Sequence, residues 1–162
     1  MKIISFTGLD YPQISKIYTD GIATGQATFQ TEAPDWANWD KAHLPHCRIA
    51  AIEAAEFAGW AALSPVSSRS VYAGVAEVSV YIAESFRGKG VGKMLMMELI
   101  RQSEEQGIWT LQSGIFPENK ASISLHEKSG FRIIGYREKV GCMNGVWRDT
   151  IIMERRSRKV GI

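Results

Sequence analysis

The chain has 162 residues, of which 45% are hydrophobic and 22% are charged, and its formal net charge is +2. The composition is ordinary for a soluble globular protein and the length suits one core, so we expect a single domain over residues 1–162. The small net charge argues against nucleic acid or a membrane surface as a partner. Since the sequence has no signal-peptide pattern, no membrane-span-length apolar run and no metal spacing at Cys47 and Cys142, we expect a cytoplasmic protein without a metal site.

The first third of the chain predicts a strand, two helices and a pair of strands. Residues 2–7 have a strand pattern, and Asp10 fits an N-cap with Gln13 at the capping-box position of a first helix. Residues 24–34 predict a loop, and Trp36 and Trp39 indicate a short second helix. Residues 47–54 and 57–63 predict two strands joined by a short turn.

The rest of the chain predicts four strands and two helices. A central strand follows Val71, and a helix after it is stopped by Gly107. Residues 109–116 predict a strand, residues 119–129 a helix, and residues 131–140 and 146–153 a final hairpin turning at Asn144 and Gly145. The order β-α-α-β-β-β-α-β-α-β-β predicts an α/β fold with a mixed sheet and helices on both faces.

Residues 77–93 combine a strand, a glycine-rich turn and the start of a helix. Glycines allow close backbone approach, and the unpaired N–H groups and dipole of a helix N-terminus attract phosphate. The turn lacks the Gly-Lys-Ser/Thr of a P-loop, and position 93 is Lys where the dinucleotide fingerprint needs glycine. The pattern therefore predicts a phosphate site of another kind, with further positive charge at Arg87, Lys89 and Lys93.

Two motifs resemble those of the GCN5-related N-acetyltransferases (GNAT). Arg87-x-x-Gly90-x-Gly92 resembles their pyrophosphate loop, and residues 119–131 are similar to their Asn-x-x-(Ser/Ala)-x-x-Leu-(Tyr/His)-Glu-x-x-Gly-Phe segment, which flanks the pantetheine and thiol end of CoA. The order of elements matches as well, so the resemblance covers nearly the whole chain and implies the GNAT fold with acetyl-CoA as co-substrate. The residues that it assigns to the cofactor are Val80, Tyr81, Ile82, Arg87, Gly88, Lys89, Gly90, Val91, Gly92, Lys93, Asn119 and Ser122.

One branch of the family is more similar than the others. Ala27-Thr28-Phe29, Arg69-x-x-Tyr72, residues 77–82 and Gly145-x-Trp147-Arg148-Asp149 look like the phosphinothricin and methionine sulfoximine N-acetyltransferases, to which arsinothricin-acetylating enzymes are similar. The resemblance implies a small L-amino acid or analogue as acceptor, a role in antibiotic or herbicide detoxification, and a homodimer. The chain has Gln30 where the branch commonly has Glu, so the resemblance does not determine which side chain of the acceptor amino acid the enzyme selects.

The same resemblance assigns roles to the candidate catalytic and substrate residues. Glu77 would be the general base, acting through water, and His126 stands where the wider family places the Tyr that protonates sulfur. A helix histidine packed at the subunit surface is an equal alternative. Arg69 would hold the substrate carboxylate, and Phe29, Gln30 and Tyr72 would complete the substrate pocket. His43 and His46 receive no role.

Two other classes of function stay open from the sequence. One is a regulatory module that binds acyl-CoA without catalysis, in which Glu77 would be dispensable. The other is an acetyltransferase for a protein or a tRNA, which should present a basic face or an open groove.

Overall fold

The computed structural model describes residues 1–162 as one seven-stranded sheet with four α-helices. The strands are β1 (Lys2–Ser5), β2 (Ile49–Glu53), β3 (Glu56–Pro65), β4 (Val75–Ile82), β5 (Thr110–Ile115), β6 (Arg132–Met143) and β7 (Val146–Arg156). The helices are α1 (Tyr11–Ala23), α2 (Trp36–Ala42), α3 (Val91–Glu105) and α4 (Lys120–Lys128). The predicted order of elements and the predicted α/β class are confirmed.

The sheet has the strand order β1-β2-β3-β4-β5-β7-β6. Every neighbouring pair is antiparallel except β4 and β5, which run parallel. Their ladder is short, because it joins only residues 75–77 to residues 110–112. β3 stays paired with β4 as far as Ile82. β4 therefore leaves β5 after Glu77, and a gap opens in the middle of the sheet.

Helices cover the sheet on both faces. On one face, Val91, Leu95, Met96 and Leu99 of α3 belong to a buried cluster with side chains from β2 to β7. On the other face, α1 and α2 pack an aromatic cluster, which includes Tyr18, Trp39 and Trp60, against β2 and β3. α1 contacts β3 and β4. α3 therefore lies on one side of the gap between β4 and β5, and α1 lies on the other side.

Turn chemistry agrees with the prediction at one hairpin and differs at the first helix. Asn144 and Gly145 join β6 to β7 with φ of 51° and 77°, the left-handed pair that two-residue hairpins favour. Asp10 precedes α1, but its carboxylate accepts the Thr7 N–H at 2.9 Å and caps no helix N–H. The predicted capping box is wrong because the Asp10 side chain closes the preceding turn instead.

None of the four helices combines the length and the apolar character that crossing a membrane requires.

Candidate active site

A cavity of about 980 Å³ lies at the gap between β4 and β5. Val91, Leu125 and His126 line it from the side of α3 and α4, and Tyr18 and Phe29 line it from the side of α1. Residues from both faces of the sheet therefore share one space. Two reactants could enter from opposite faces and meet at the centre of such a cavity.

Most of the residues predicted for the site line this cavity: Phe29, Gln30, Glu77, Val80, Tyr81, Ile82, Arg87, Gly88, Gly90, Val91, Gly92, Asn119, Ser122 and His126. Lys89 and Lys93 are exposed beside it, at the glycine-rich turn. Arg69 and Tyr72 lie elsewhere. The Arg69 guanidinium sits 5.5 Å from the centre of the Tyr72 ring.

Tyr72 lines a second cavity of about 530 Å³, together with Val66, Trp109 and Gln112. Gln112 also lines the larger cavity, and it is the strand partner of Glu77. The second cavity therefore adjoins the first at the end of the parallel ladder. Arg69 and Tyr72 are both exposed, so this part of the surface is open in the single chain.

The glycine-rich turn has the conformation that its sequence requires. Gly88 and Gly90 have φ of 74° and 82°, in the left-handed region that side chains disfavour. Gly90 is the N-cap of α3 and supplies no side-chain cap, so the first N–H groups of the helix point outward without an intrahelical partner. A Cβ at Gly90 would meet no atom within 4 Å, which leaves room for an anion at this helix end.

The free edge of β4 carries unpaired backbone groups. The Ala83 N–H donates to the Ala58 carbonyl at 2.9 Å, so the backbone of Ala83 faces β3. Because successive residues of a strand direct their backbone groups to opposite edges, those of Val80 and Ile82 face the gap. An extended ligand can pair with them as an added strand would.

Glu77 occupies the end of the parallel ladder. It pairs with Gln112 of β5 and lies opposite Ser64 of β3. Its side chain is exposed and lines the cavity, on the face that also carries Tyr81 and the packed α1. A carboxylate here stands between the gap in the sheet and the second cavity.

His126 is buried. Its Nδ1–H donates to the Ser122 carbonyl at 2.7 Å, and its Nε2 is buried without a partner. The ring packs edge-on against Phe131, and burial lowers the pKa of His126 below the ordinary value of 6.5. Since Nδ1 is the donor, the lone pair of the ring is on Nε2, which has no hydrogen-bond partner and almost no solvent contact.

His43 also lines the cavity, although the sequence analysis gave it no role. Its ring stacks on Trp39 at 3.8 Å and its Nδ1–H donates to the Trp39 carbonyl. Burial, opposed by that hydrogen bond, lowers the pKa of His43, and the nearby positive charge of Arg48 lowers it further. The only signal in the sequence was the i, i+4 spacing of Trp39 and His43, which a packed helix end explains equally well.

Loop residues 24–30 continue directly from α1 along the cavity. Phe29 packs edge-on against Phe116 at 4.9 Å between ring centres, and a Cβ on Gly141 would come within 2.6 Å of the Phe29 ring. Arg148 donates to the Gln26 side chain at 2.8 Å. In the sequence Arg148 stands out only as part of the Gly145-x-Trp147-Arg148-Asp149 motif, and no local pattern indicates this contact.

Comparisons with known proteins agree with the fold and the cavity. The model of the acetyltransferase (GNAT) family matches residues 13–131. The phosphinothricin N-acetyltransferase of Alcaligenes faecalis is 35% identical over 155 residues, which cover 90% of this chain and 77% of that protein. The L-methionine sulfoximine/L-methionine sulfone acetyltransferase of Pseudomonas aeruginosa is 33% identical over 151 residues, which cover 90% of this chain and 88% of that protein.

Solved structures are similar along nearly the whole chain. A ribosomal-protein-alanine N-acetyltransferase from Brucella melitensis superposes with a TM-score of 0.89 at 29% identity, covering 97% of this chain and 100% of that one. A phosphinothricin acetyltransferase from Sinorhizobium meliloti in complex with AcCoA has a TM-score of 0.88 at 26% identity, covering 99% of this chain and 90% of that one. The chain therefore belongs to the acetyltransferase (GNAT) family and is an acetyltransferase similar to those named for phosphinothricin and methionine sulfoximine.

Proposed function

We propose that this enzyme transfers the acetyl group of acetyl-CoA to the α-amine of a small L-amino acid or analogue, of the kind represented by phosphinothricin and methionine sulfoximine. The observation that carries the proposal is the cavity through the sheet, which joins the glycine-rich turn to Glu77. Similarity to acetyltransferases named for these compounds supports the acceptor class. Acetylation of a toxic amino acid analogue would serve its detoxification.

The proposed position of acetyl-CoA follows from the two binding features of the site. The pyrophosphate would lie at the N-terminus of α3, against the backbone of residues 87–93 and the charges of Arg87, Lys89 and Lys93. The pantetheine would run along the free edge of β4, paired with Val80 and Ile82, with Asn119 and Ser122 on its other side. The thioester would then lie in the gap beside Glu77.

The proposed reaction is direct attack of the amine on the thioester. Glu77, acting through a water molecule, takes a proton from the substrate ammonium, and the free amine attacks the carbonyl carbon. A backbone N–H of β4 stabilises the negative oxygen that develops. The new C–N bond forms, the C–S bond breaks, and the CoA thiolate needs a proton. The nitrogen that has attacked still carries one proton more than the amide product, and His126 would take that proton on Nε2 and pass it to the thiolate, since its own ring hydrogen is on Nδ1.

The proposed acceptor site lies on the other side of Glu77. Arg69 would hold the substrate carboxylate, and Tyr72 would form part of the wall. Phe29 and Gln30 line the main cavity near the expected side chain of the substrate. Contact of the two cavities at Gln112 supports this arrangement, because it brings the surface around Tyr72 next to Glu77.

We also propose a homodimer. Six large apolar side chains of β6 and β7 are exposed in the single chain: Ile133, Ile134, Tyr136, Val140, Val146 and Trp147. Val71 and Tyr72, beside the proposed acceptor site, are exposed as well. Exposed apolar surface of this extent is typical of an interface. Sedimentation equilibrium at micromolar concentration tests the proposal, and a monomeric mass would contradict it.

A second candidate is acetylation of a protein N-terminus, which the name of the similar Brucella melitensis structure favours. A thiol-release assay with acetyl-CoA separates the candidates when its acceptors are amino acids, amino acid analogues and alanine-initiated peptides. We expect turnover with phosphinothricin or methionine sulfoximine and little with peptides. Turnover with peptides alone would replace the first proposal by the second. Binding of CoA without turnover of any amine would indicate a regulatory module.

A further inference from the structure

Arg148 of β7 is held by four different groups. Its guanidinium donates to the Gly25 carbonyl, to the Gln26 side-chain carbonyl at 2.8 Å and to the Glu118 carboxylate at 3.4 Å. Its central carbon also lies 3.7 Å from the centre of the Phe116 ring. The side chain is only 13% exposed, so this cation has exchanged most of its water for contacts within the chain.

These contacts join segments that lie on opposite sides of the gap. Gly25 and Gln26 follow α1, which packs on β3 and β4. Arg148 belongs to β7, beyond β5, and Phe116 directly follows β5. The Asn119 side-chain amide adds a second link on the same side, since it donates to the Gln26 carbonyl at 3.2 Å. The loop after α1 is thus attached across the cavity rather than to its own side alone.

We propose that Arg148 is a positioning residue that fastens the loop of residues 24–30 across the cavity, and so sets the affinity of the enzyme for its acceptor amino acid. The loop carries Phe29 and Gln30, which line the cavity. Arg148 itself does not line it, so it acts through the loop. The assignment to acceptor affinity rests on the proposed function, whereas the attachment of the loop does not.

Arginine suits this position for a physical reason. A guanidinium donates in several directions in one plane and can lie flat on an aromatic ring, which an ammonium cannot do at once. Here the donors reach the loop and Glu118 while the face of the group covers Phe116. A lysine would keep the charge but could not hold all four partners.

The experiment compares Arg148→Met, Arg148→Lys and the control Arg132→Met. Arg132 is an exposed arginine of β6 whose partner is Glu154, so its replacement removes a charge without touching the loop. Limited chymotrypsin digestion with mass spectrometry measures cleavage after Phe29, which is 37% exposed. We expect cleavage about tenfold faster in Arg148→Met, an intermediate rate in Arg148→Lys and the wild-type rate in Arg132→Met, because release of the loop raises its open population.

Kinetics on the same variants test the role of the loop. We expect the acceptor KM of Arg148→Met to rise about tenfold while kcat falls less than about threefold, since the loop shapes a binding wall and not the reacting groups. The KM for acetyl-CoA should change little. Arg148→Lys should recover part of the acceptor affinity.

Each outcome decides a separate point. Unchanged cleavage in folded Arg148→Met overturns the attachment, whatever the activity. Faster cleavage with an unchanged acceptor KM overturns the role in affinity. Faster cleavage in an enzyme that acetylates no amino acid leaves the attachment standing and refutes the proposed function. Should Arg148→Met fail to fold, Arg148→Lys combined with Gln26→Ala keeps the charge but removes the guanidinium and one of its acceptors, and unchanged cleavage in that double variant overturns the proposal.

Discussion

Glu77 and Gln112 are the last paired residues of the parallel ladder between β4 and β5. Beyond this pair the strands separate, and the main cavity occupies the gap. Gln112 also borders the smaller cavity that contains Tyr72. The pair thus marks the place where the space expected for the thioester meets the space expected for the amine, which is the position that a general base requires.

Replacement of Glu77 by Gln tests that role. We expect the rate near neutral pH to fall by roughly two to four powers of ten, because the amide cannot take a proton from the ammonium. The deficit should shrink at high pH, where the solvent supplies free amine. The pH–rate profile of kcat/KM for variant and wild type is the measurement. Profiles of the same shape would mean that another group activates the amine.

Replacement of Gly90 by Ala tests the phosphate site, with Gly107→Ala as a matched control. Gly90 and Gly107 have φ of 82° and 76°, and a Cβ at either would meet no atom within 4 Å. Both variants therefore carry the same backbone strain, at opposite ends of α3. Calorimetric titration with CoA should show affinity about tenfold or more weaker for Gly90→Ala alone, because its N–H groups no longer fit the pyrophosphate. Equal affinities would remove the phosphate assignment.

Replacement of Arg69 by Lys tests the carboxylate site. A guanidinium binds a carboxylate through two parallel hydrogen bonds, and lysine cannot copy that geometry. The wild type should strongly prefer a free amino acid analogue to its methyl ester, and Arg69→Lys should lose most of that preference through a higher KM. Competition assays with acid and ester are the measurement. The same preference in both enzymes would place the carboxylate elsewhere.

The buried His126 and the half-buried His43 and His46 predict how stability depends on pH. Burial lowers the pKa of His43, His46 and His126 below the ordinary 6.5, so the unfolded chain binds more protons than the folded chain in mildly acidic solution. Their stabilising effect is complete above pH 6.5 and is lost as the pH falls towards the lowered values. Urea unfolding at about pH 7 and about pH 5.5 should show this loss, and a smaller one in His126→Asn. An equal loss in the variant would contradict the prediction for His126.

Local sequence determined much of the fold. The succession of elements follows from alternation in the strands and from apolar spacing in the helices, and both depend on residues close together in the chain. The glycine-rich turn could be identified for the same reason, because the left-handed backbone at Gly88 and Gly90 is a local requirement that glycine meets. Asn119 likewise caps α4 by accepting the Ser122 N–H, as its position suggests.

Tertiary structure decided what the distant residues do. Arg148 and Gly25 are 123 residues apart, and only the packing of α1 on β4 beside β5 and β7 brings them together. The separation of β4 from β5 after Glu77 depends on strand register, which no single segment encodes. The lowered pKa values of His43 and His126 depend on burial by other elements. Sequence by itself thus determined the elements and the glycine-rich turn, whereas the cavity and its loop attachment arose from long-range packing, because residues far apart in the chain meet only when the sheet is assembled.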